Sequence, residues 1–335
     1  METLKKNIRI RVEHANALAY KADVLVLKFA QELYGLDMQV VDRLERVGVE
    51  TLSHLPREGE HHLVNSMNQI GARSILFVGV KSLFYFRYQE IREFARRTLA
   101  ILAKEAPETK HICLTLHGAN YGLDEVEAFV SEIAGLVDAL NTYDFPKKLE
   151  LITIVELNQV RTERLQNLLS ELLPKGYFEK IAQRSKEGQI QTTDERLQSA
   201  GHTSDSKPHV FVAMPFADEM DDVYDYGIRG VINDAGFICE RADLSAFTGD
   251  ILEWVKKRIR TSAFVLADLT GANSNVYLEV GYAWGCGVPT ILIVHDAEEL
   301  KFDVQGQRCL VYKRIKELEE SLYKELESLR KTLSV

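Results

Sequence analysis

The sequence has no excess of positive charge, no long apolar run and no clustered cysteines. Its formal net charge is -9, which argues against a protein that coats nucleic acid, because phosphate binding needs a concentrated basic face. No apolar run approaches the roughly 20 residues that a membrane-spanning helix needs, so no membrane partner is expected. The opening residues are polar and run straight into a strand pattern, without the apolar core of a secretory signal. The four cysteines, Cys113, Cys239, Cys286 and Cys309, lie far apart with no CxxC pair and no histidine at ligand spacing. They read as buried reduced thiols of a cytoplasmic protein. Repeats and low-complexity tracts are missing as well. What is present is 335 residues, 46% of them apolar, enough for two domains of ordinary size with separate cores.

Strand and helix patterns alternate along the first half. Residues 7–12, 22–29, 73–80, 111–116 and 149–155 are β-rich, and 37–47, 88–103, 124–140 and 158–173 carry helical spacing. That alternation implies an α/β layer fold. Between residues 185 and 207 the pattern collapses into SKEGQIQTTDERLQSAGHTSDSK, which has almost nothing to bury and reads as a linker. The second half restarts with strands at 209–216, 236–243, 262–269, 289–296 and 309–313 and helices between them. The expected organisation is an α/β domain over 1–184, a linker over 185–207, and a flavodoxin-like, doubly wound parallel sheet of order 2-1-3-4-5 over 208–335. In that topology ligands bind beyond the carboxyl ends of the first and third strands. Met214, Pro215, Phe216, Asp268 and Thr270 fall there.

Two carboxylates stand out in that half. Asp268 ends a run of apolar residues (AFVLA), where burial raises a carboxyl pKa unless donors hold it ionised. Glu279 lies in SNVYLEVGYAWG, a helix that Ser274 or Asn275 can cap and whose inner stripe is Val276, Val280 and Ala283. Glu279 sits about one turn in, close to the strand end. It is either a carboxylate that caps backbone or pairs with an arginine such as Arg241, or one that faces a ribose.

The segment ADLTGANSNVYLEVGYAWGCGVPTILI, with VFVAMPF before it and KFDVQGQRCLVY after it, resembles the nucleoside 2-deoxyribosyltransferase-like superfamily and the related TIR-like domains of bacterial defence proteins. The resemblance spans about residues 208–312. It implies that Glu279 attacks the anomeric carbon of a ribose or deoxyribose, or stabilises its cationic transition state. Asp268 would help hold the sugar or the leaving base. Carboxylates suit that chemistry, because N-glycosidic cleavage passes through an oxocarbenium-like state. No cofactor is implied, and NAD enters as a substrate. The chain departs from the family in following Met214-Pro215-Phe216 with Asp218, Glu219, Asp221 and Asp222, an acidic stretch unhelpful to a free phosphate. Phosphate contacts are then expected from backbone amides, Arg241 or Arg308. Arg241 and Asp243 end the second strand, as an ion pair or as crevice residues. Tyr224 and Tyr226 either stack on a base or pack within a helix. His295 lines the rim, and Asn275 and Thr270 complete the expected substrate contacts.

The first domain shows no catalytic constellation. His54, His61 and His62 share a loop, but without thiol or acidic ligands they make no metal site. In HGANYGLDEVEAF a strand runs through a glycine-bearing loop into a helix capped by Asp124. Gly118, Asn120 and Gly122 could present backbone N–H groups to a phosphate, or form an ordinary βα turn. With ADVLVL and ARSILFVGV, this layout over about residues 8–157 resembles macro domains and the macro-like N-terminal domain of leucyl aminopeptidases. It implies a pocket for ADP-ribose or a similar nucleotide, without the peptidase's metal. Together the two resemblances imply an N-glycosidase acting on NAD or another nucleotide, gated by a nucleotide signal in the manner of an antiviral defence effector. A deoxyribosyltransferase and a non-catalytic nucleotide sensor stay open as alternatives. Homo-oligomerisation is also left open.

Overall fold

The computed structural model describes residues 8–119, 121–175, 177, 195–241, 251–301 and 304–333. The chain forms two compact units, one of Met1–Gly118 with Glu125–Asp205 and one of Ala119–Asp124 with Ser206–Val335.

The first unit runs β1 (Arg9–His14), β2 (Val24–Phe29), α1 (Gly35–Glu45), β3 (His61–Asn65), β4 (Ser74–Gly79), α2 (Tyr88–Glu105), β5 (His111–Thr115), α3 (Glu125–Thr142), β6 (Leu151–Glu156) and α4 (Gln159–Leu172). The strands form one sheet of order β1-β6-β5-β2-β4-β3. Every pair is parallel except β3 with β4. β2 and β4 are near-continuous apolar runs, as strands covered on both faces require. On one face Val40, Val41 and Leu44 of α1 pack with Leu25, Leu27, Ile75 and Phe77, and elsewhere in the unit α2 and α3 pack on each other. β3 lies where the sequence reads as a loop. HHLVN is too short and too polar to display an alternation, and the antiparallel partner β4 supplies what its composition lacks. Within it, His61 pairs with Glu105, and the His62 ring stacks on His54 at 5.6 Å.

The expected linker needs correction over its described part; residues 185–194 lie outside the described residues. Glu195–Ser199 is a short helix, α5, and Leu197, Ala200 and Ser204 are buried. The stretch is held by Arg92 of α2, whose Nη1 donates to the carbonyls of Leu197, Gln198 and Ala200 at 2.9, 3.0 and 2.6 Å. Ser204 donates to Glu127. Composition cannot reveal a partner that lies about a hundred residues earlier in the chain.

The second unit runs β7 (His209–Ala213), α6 (Asp218–Asp222), a π-helical turn (Val223–Arg229), α7 (Gly230–Asp234), β8 (Ile238–Glu240), α8 (Ile251–Thr261), β9 (Phe264–Asp268), α9 (Ser274–Gly285), β10 (Thr290–Val294), β11 (Cys309–Val311) and α10 (Ile315–Leu333). Its sheet has the order β11-β10-β9-β7-β8, with every pair parallel. This is the 2-1-3-4-5 order of a flavodoxin-like sheet. The crossover from β7 to β8 runs the opposite way to those from β8 to β9 and from β9 to β10, so right-handedness puts them on opposite faces. The packing agrees: the π turn and α7 meet α10, whereas α8 meets α9. Among the described residues, no helix is long and apolar enough to cross a membrane.

Candidate functional site

Strand order brings the carboxyl ends of β7 and β9 together at the point where the chain reverses direction, and there a ligand crevice is expected. The register pairs Ala213 with Ala267, so Met214 and Asp268 leave the sheet side by side. Beyond β9 the chain turns through Gly271 (φ 71°) and Ala272 (φ 50°). Left-handed backbone is strained for an alanine and tends to be kept at functional turns. Asn273 then caps α9, its side chain accepting from the Asn275 amide at 2.9 Å. The cap is therefore neither Ser274 nor Asn275, and Asn275 is exposed in the first turn. Val276, Val280 and Ala283 form the buried stripe, as their spacing requires.

Asp268 is fully buried. Its Oδ1 accepts from the Thr270 amide at 3.0 Å, and its Oδ2 accepts from the Tyr312 hydroxyl at 2.8 Å. Burial pushes its pKa up, while the Thr270 and Tyr312 donors pull it back. Thr270 Oγ1 in turn accepts from the His295 amide at 2.9 Å, and the His295 ring meets Tyr312 edge-on at 5.7 Å. The carboxylate thus ties the ends of β9 and β10 to the residue that follows β11. Each oxygen already has one protein donor, from Thr270 and from Tyr312. Side-chain alternation also puts Asp268 with Leu266 and Tyr312, on the face covered by the π turn and α10. α9, which carries Glu279, covers the other face.

Glu279 is half-buried. Among the described residues no donor and no cation reaches its carboxylate. Burial alone pushes its pKa up to about 7, since desolvation disfavours the charged form. Among the described residues it neither caps backbone nor pairs with Arg241.

On the other side of β7, Arg241 follows β8. Its Nη1 donates to Asp221 Oδ1 at 3.1 Å and its Nη2 to the Pro215 carbonyl at 3.3 Å. Its guanidinium lies 4.2 Å from the Phe216 ring centroid and 4.8 Å from that of Tyr224. Tyr224 also faces Arg229, at 5.9 Å, and its hydroxyl accepts from Cys239 Sγ. It packs against the core of the unit and is half-buried. Tyr226 is 50% exposed and free of that cluster. Met214 belongs to the apolar core, Pro215 is half-buried, and Phe216 is 42% exposed. Arg308 forms a two-point ion pair with Glu325. Asp243 lies outside the described residues.

The glycine loop after β5 takes an unexpected place. Gly118 ends the first unit's share, Asn120 lies outside the described residues, and Ala119–Asp124 is counted with the second unit. A Cβ on Gly122 would stand 2.2 Å from Cη2 of Trp254, and the residue has φ +88°. The glycine therefore makes room for an indole. Asp124 is buried and accepts from the Cys239 amide and from Asn233 Nδ2, both at 2.9 Å. Sequence spacing marks Asp124 as a helix cap but cannot show that β8 donates to it. Gly122→Ala is expected to cost about 1–3 kcal/mol through overpacking and backbone strain. A melting curve checks this, with the Trp254 fluorescence shifting; a change under about 0.5 kcal/mol would place the indole elsewhere.

No protein-family model matches the chain, and no curated protein matches it. Solved structures similar to its N-terminal half are macrodomains. The macrodomain of Oceanobacillus iheyensis with ADP is 15% identical, with a TM-score of 0.40, over 50% of this chain and 94% of that one. The Trypanosoma brucei macrodomain in complex with ADP is 13% identical, with a TM-score of 0.38, over 49% and 69%.

Proposed function

We propose that the crevice at the carboxyl ends of β7 and β9 binds a nucleoside or nucleotide and cleaves its N-glycosidic bond, with Glu279 as the reacting carboxylate. One observation carries the reading: Glu279 is half-buried, has no partner among the described residues, and is raised to about 7 by burial alone. Such a group costs stability and serves no contact, and strongly perturbed carboxyls of this kind gather at functional sites. In the reaction the C–N electron pair leaves with the base and positive charge develops at the anomeric carbon. A carboxylate with no resident cation meets that charge at full strength, because few protein dipoles and little water screen it. It either bonds to the carbon, giving a glycosyl ester that water then hydrolyses, or stabilises the cation while water adds. When the leaving group is nicotinamide, it departs neutral and needs no acid. Asp268 holds the floor of the site through Thr270 and Tyr312.

Incubation with NAD, nucleotides and nucleosides, with released base detected by mass, tests the reading. Exchange of a labelled free base into product would mark a deoxyribosyltransferase instead. Ligand binding without base release would mark a sensor.

For the first unit the proposal is a nucleotide site that gates this activity, as in a defence effector. Its support is the sequence resemblance and the placing of Gly118 just beyond β5, a strand that neighbours β2 where the strand order reverses. ADP-ribose at about 100 times its dissociation constant should stabilise the full chain by about 2.7 kcal/mol. A melting temperature that does not move with any adenine nucleotide removes the gate.

A further inference from the structure

We infer that Arg241 reads a phosphate in this crevice, so that its substrates are phosphorylated nucleotides and not free nucleosides. The inference rests on the reading of the crevice as a nucleoside-binding site and names its substrate class. A guanidinium offers five N–H donors. Here the side chain is only 8% exposed, yet its contacts are few. Nη1 meets Asp221, a carboxylate 62% exposed, and Nη2 meets one carbonyl at 3.3 Å. Nε is buried with no acceptor among the described residues. A buried donor on a cation is costly to leave unmet. The rings of Phe216 and Tyr224 nevertheless lie against the guanidinium, 4.2 and 4.8 Å from it, and rings cannot accept from its N–H groups as an anion can. A phosphate monoester, with its terminal oxygens, suits a two-point contact with that fork. Phe216, the more exposed of the two rings, is the cover that must move to admit it.

The rival cations are committed: Arg229 to Asp225 and Arg308 to Glu325. Asp221 is the resident anion, and its exposure lets it turn out to water when a phosphate arrives. Glu219 and Asp222 are exposed, where salt screens their repulsion. The positions fit as well. Arg241 lies on the β8 side of β7, and α9 with Glu279 follows β9 on the other side. Two strand spacings, about 10 Å, separate β8 from β9, which suits a nucleoside monophosphate laid across the end of β7.

The test is calorimetric titration of the full-length Glu279→Gln protein, which leaves ligands intact, with adenosine 5′-monophosphate and with adenosine. The monophosphate should bind at least ten times more tightly, and Arg241→Gln in the same background should bring the ratio near one. Arg241→Lys, which keeps the charge and loses the fork, should narrow it, and serves if Arg241→Gln fails to fold. Equal affinities for the two ligands, a ratio untouched by either substitution, or no binding of either ligand would overturn the inference. Phosphate-dependent binding without base release from any wild-type substrate would leave Arg241's role intact and remove the glycosidase. Base release from nucleosides and nucleotides alike, insensitive to Arg241, would do the reverse.

Discussion

Glu279→Gln should lower base release by about 10²–10³, the usual cost of losing a principal charge-stabilising group, while the protein stays folded. Glutamine keeps the shape and removes the charge that the cationic transition state needs. The pH profile sharpens the expectation. Burial holds the carboxyl at about 7, and only its ionised form can meet a cation, so wild-type kcat/KM should rise as pH passes through about 7. The variant should lack that limb. Stability should move the opposite way. Below the ordinary carboxyl value of 4.5 the group is protonated in both folded and unfolded chains, and it costs nothing. Between 4.5 and about 7 the unfolded chain ionises first, so wild-type stability falls across that window. Above it the charged group costs the fold about 1–3 kcal/mol. Glu279→Gln should therefore melt several degrees higher than wild type at pH 8 and at the same temperature near pH 4.5. A variant that releases base at the wild-type rate sinks the mechanism. A variant less stable at pH 8 shows that Glu279 has a structural partner after all.

Arg92→Leu should destabilise the first unit by about 3–5 kcal/mol, the range for removing one partner of a buried ion pair. Arg92 is 7% exposed. It makes a two-point bond with Asp138, at 2.6 and 2.9 Å, and three more bonds to carbonyls of the 195–206 stretch. Leucine fills the space but leaves Asp138 without its cation and three carbonyls without a donor. Residues 195–206 should then become the first site of limited proteolysis, whereas in the wild type they should resist it. Denaturant midpoints measure the loss. A cost below about 1 kcal/mol would mean that the stretch docks through Leu197 and Ala200 alone.

Much of the second unit was legible because its strands are short apolar runs divided by amphipathic helices, and that alternation leaves few topologies open. The order 2-1-3-4-5 follows. The inner stripe of α9 was legible for the same reason, since Val276, Val280 and Ala283 recur at helical spacing. β3 was not, because an edge strand of two histidines and three other residues takes its conformation from β4. Nor was the cap at Asn273, which depends on the left-handed turn at Gly271 and Ala272.

The sequence by itself determined where Asp268 and Glu279 stand: one at the end of a buried strand, one a turn into the helix that follows. Hydrophobic period is a local property, so position along a strand or helix can be read from neighbours in the chain. What each carboxylate meets was decided only by tertiary structure. Asp268 has donors from Thr270 and from Tyr312, 44 residues away, and is held as a fastener. Glu279 has none among the described residues, and burial raises its pKa to about 7. Arg92 and Asp124 follow the same rule, since their acceptors and donors come from about 105 and 115 residues along the chain. Hydrogen bonding and desolvation depend on what the fold brings within about 3 Å, and no spacing in a sequence records that.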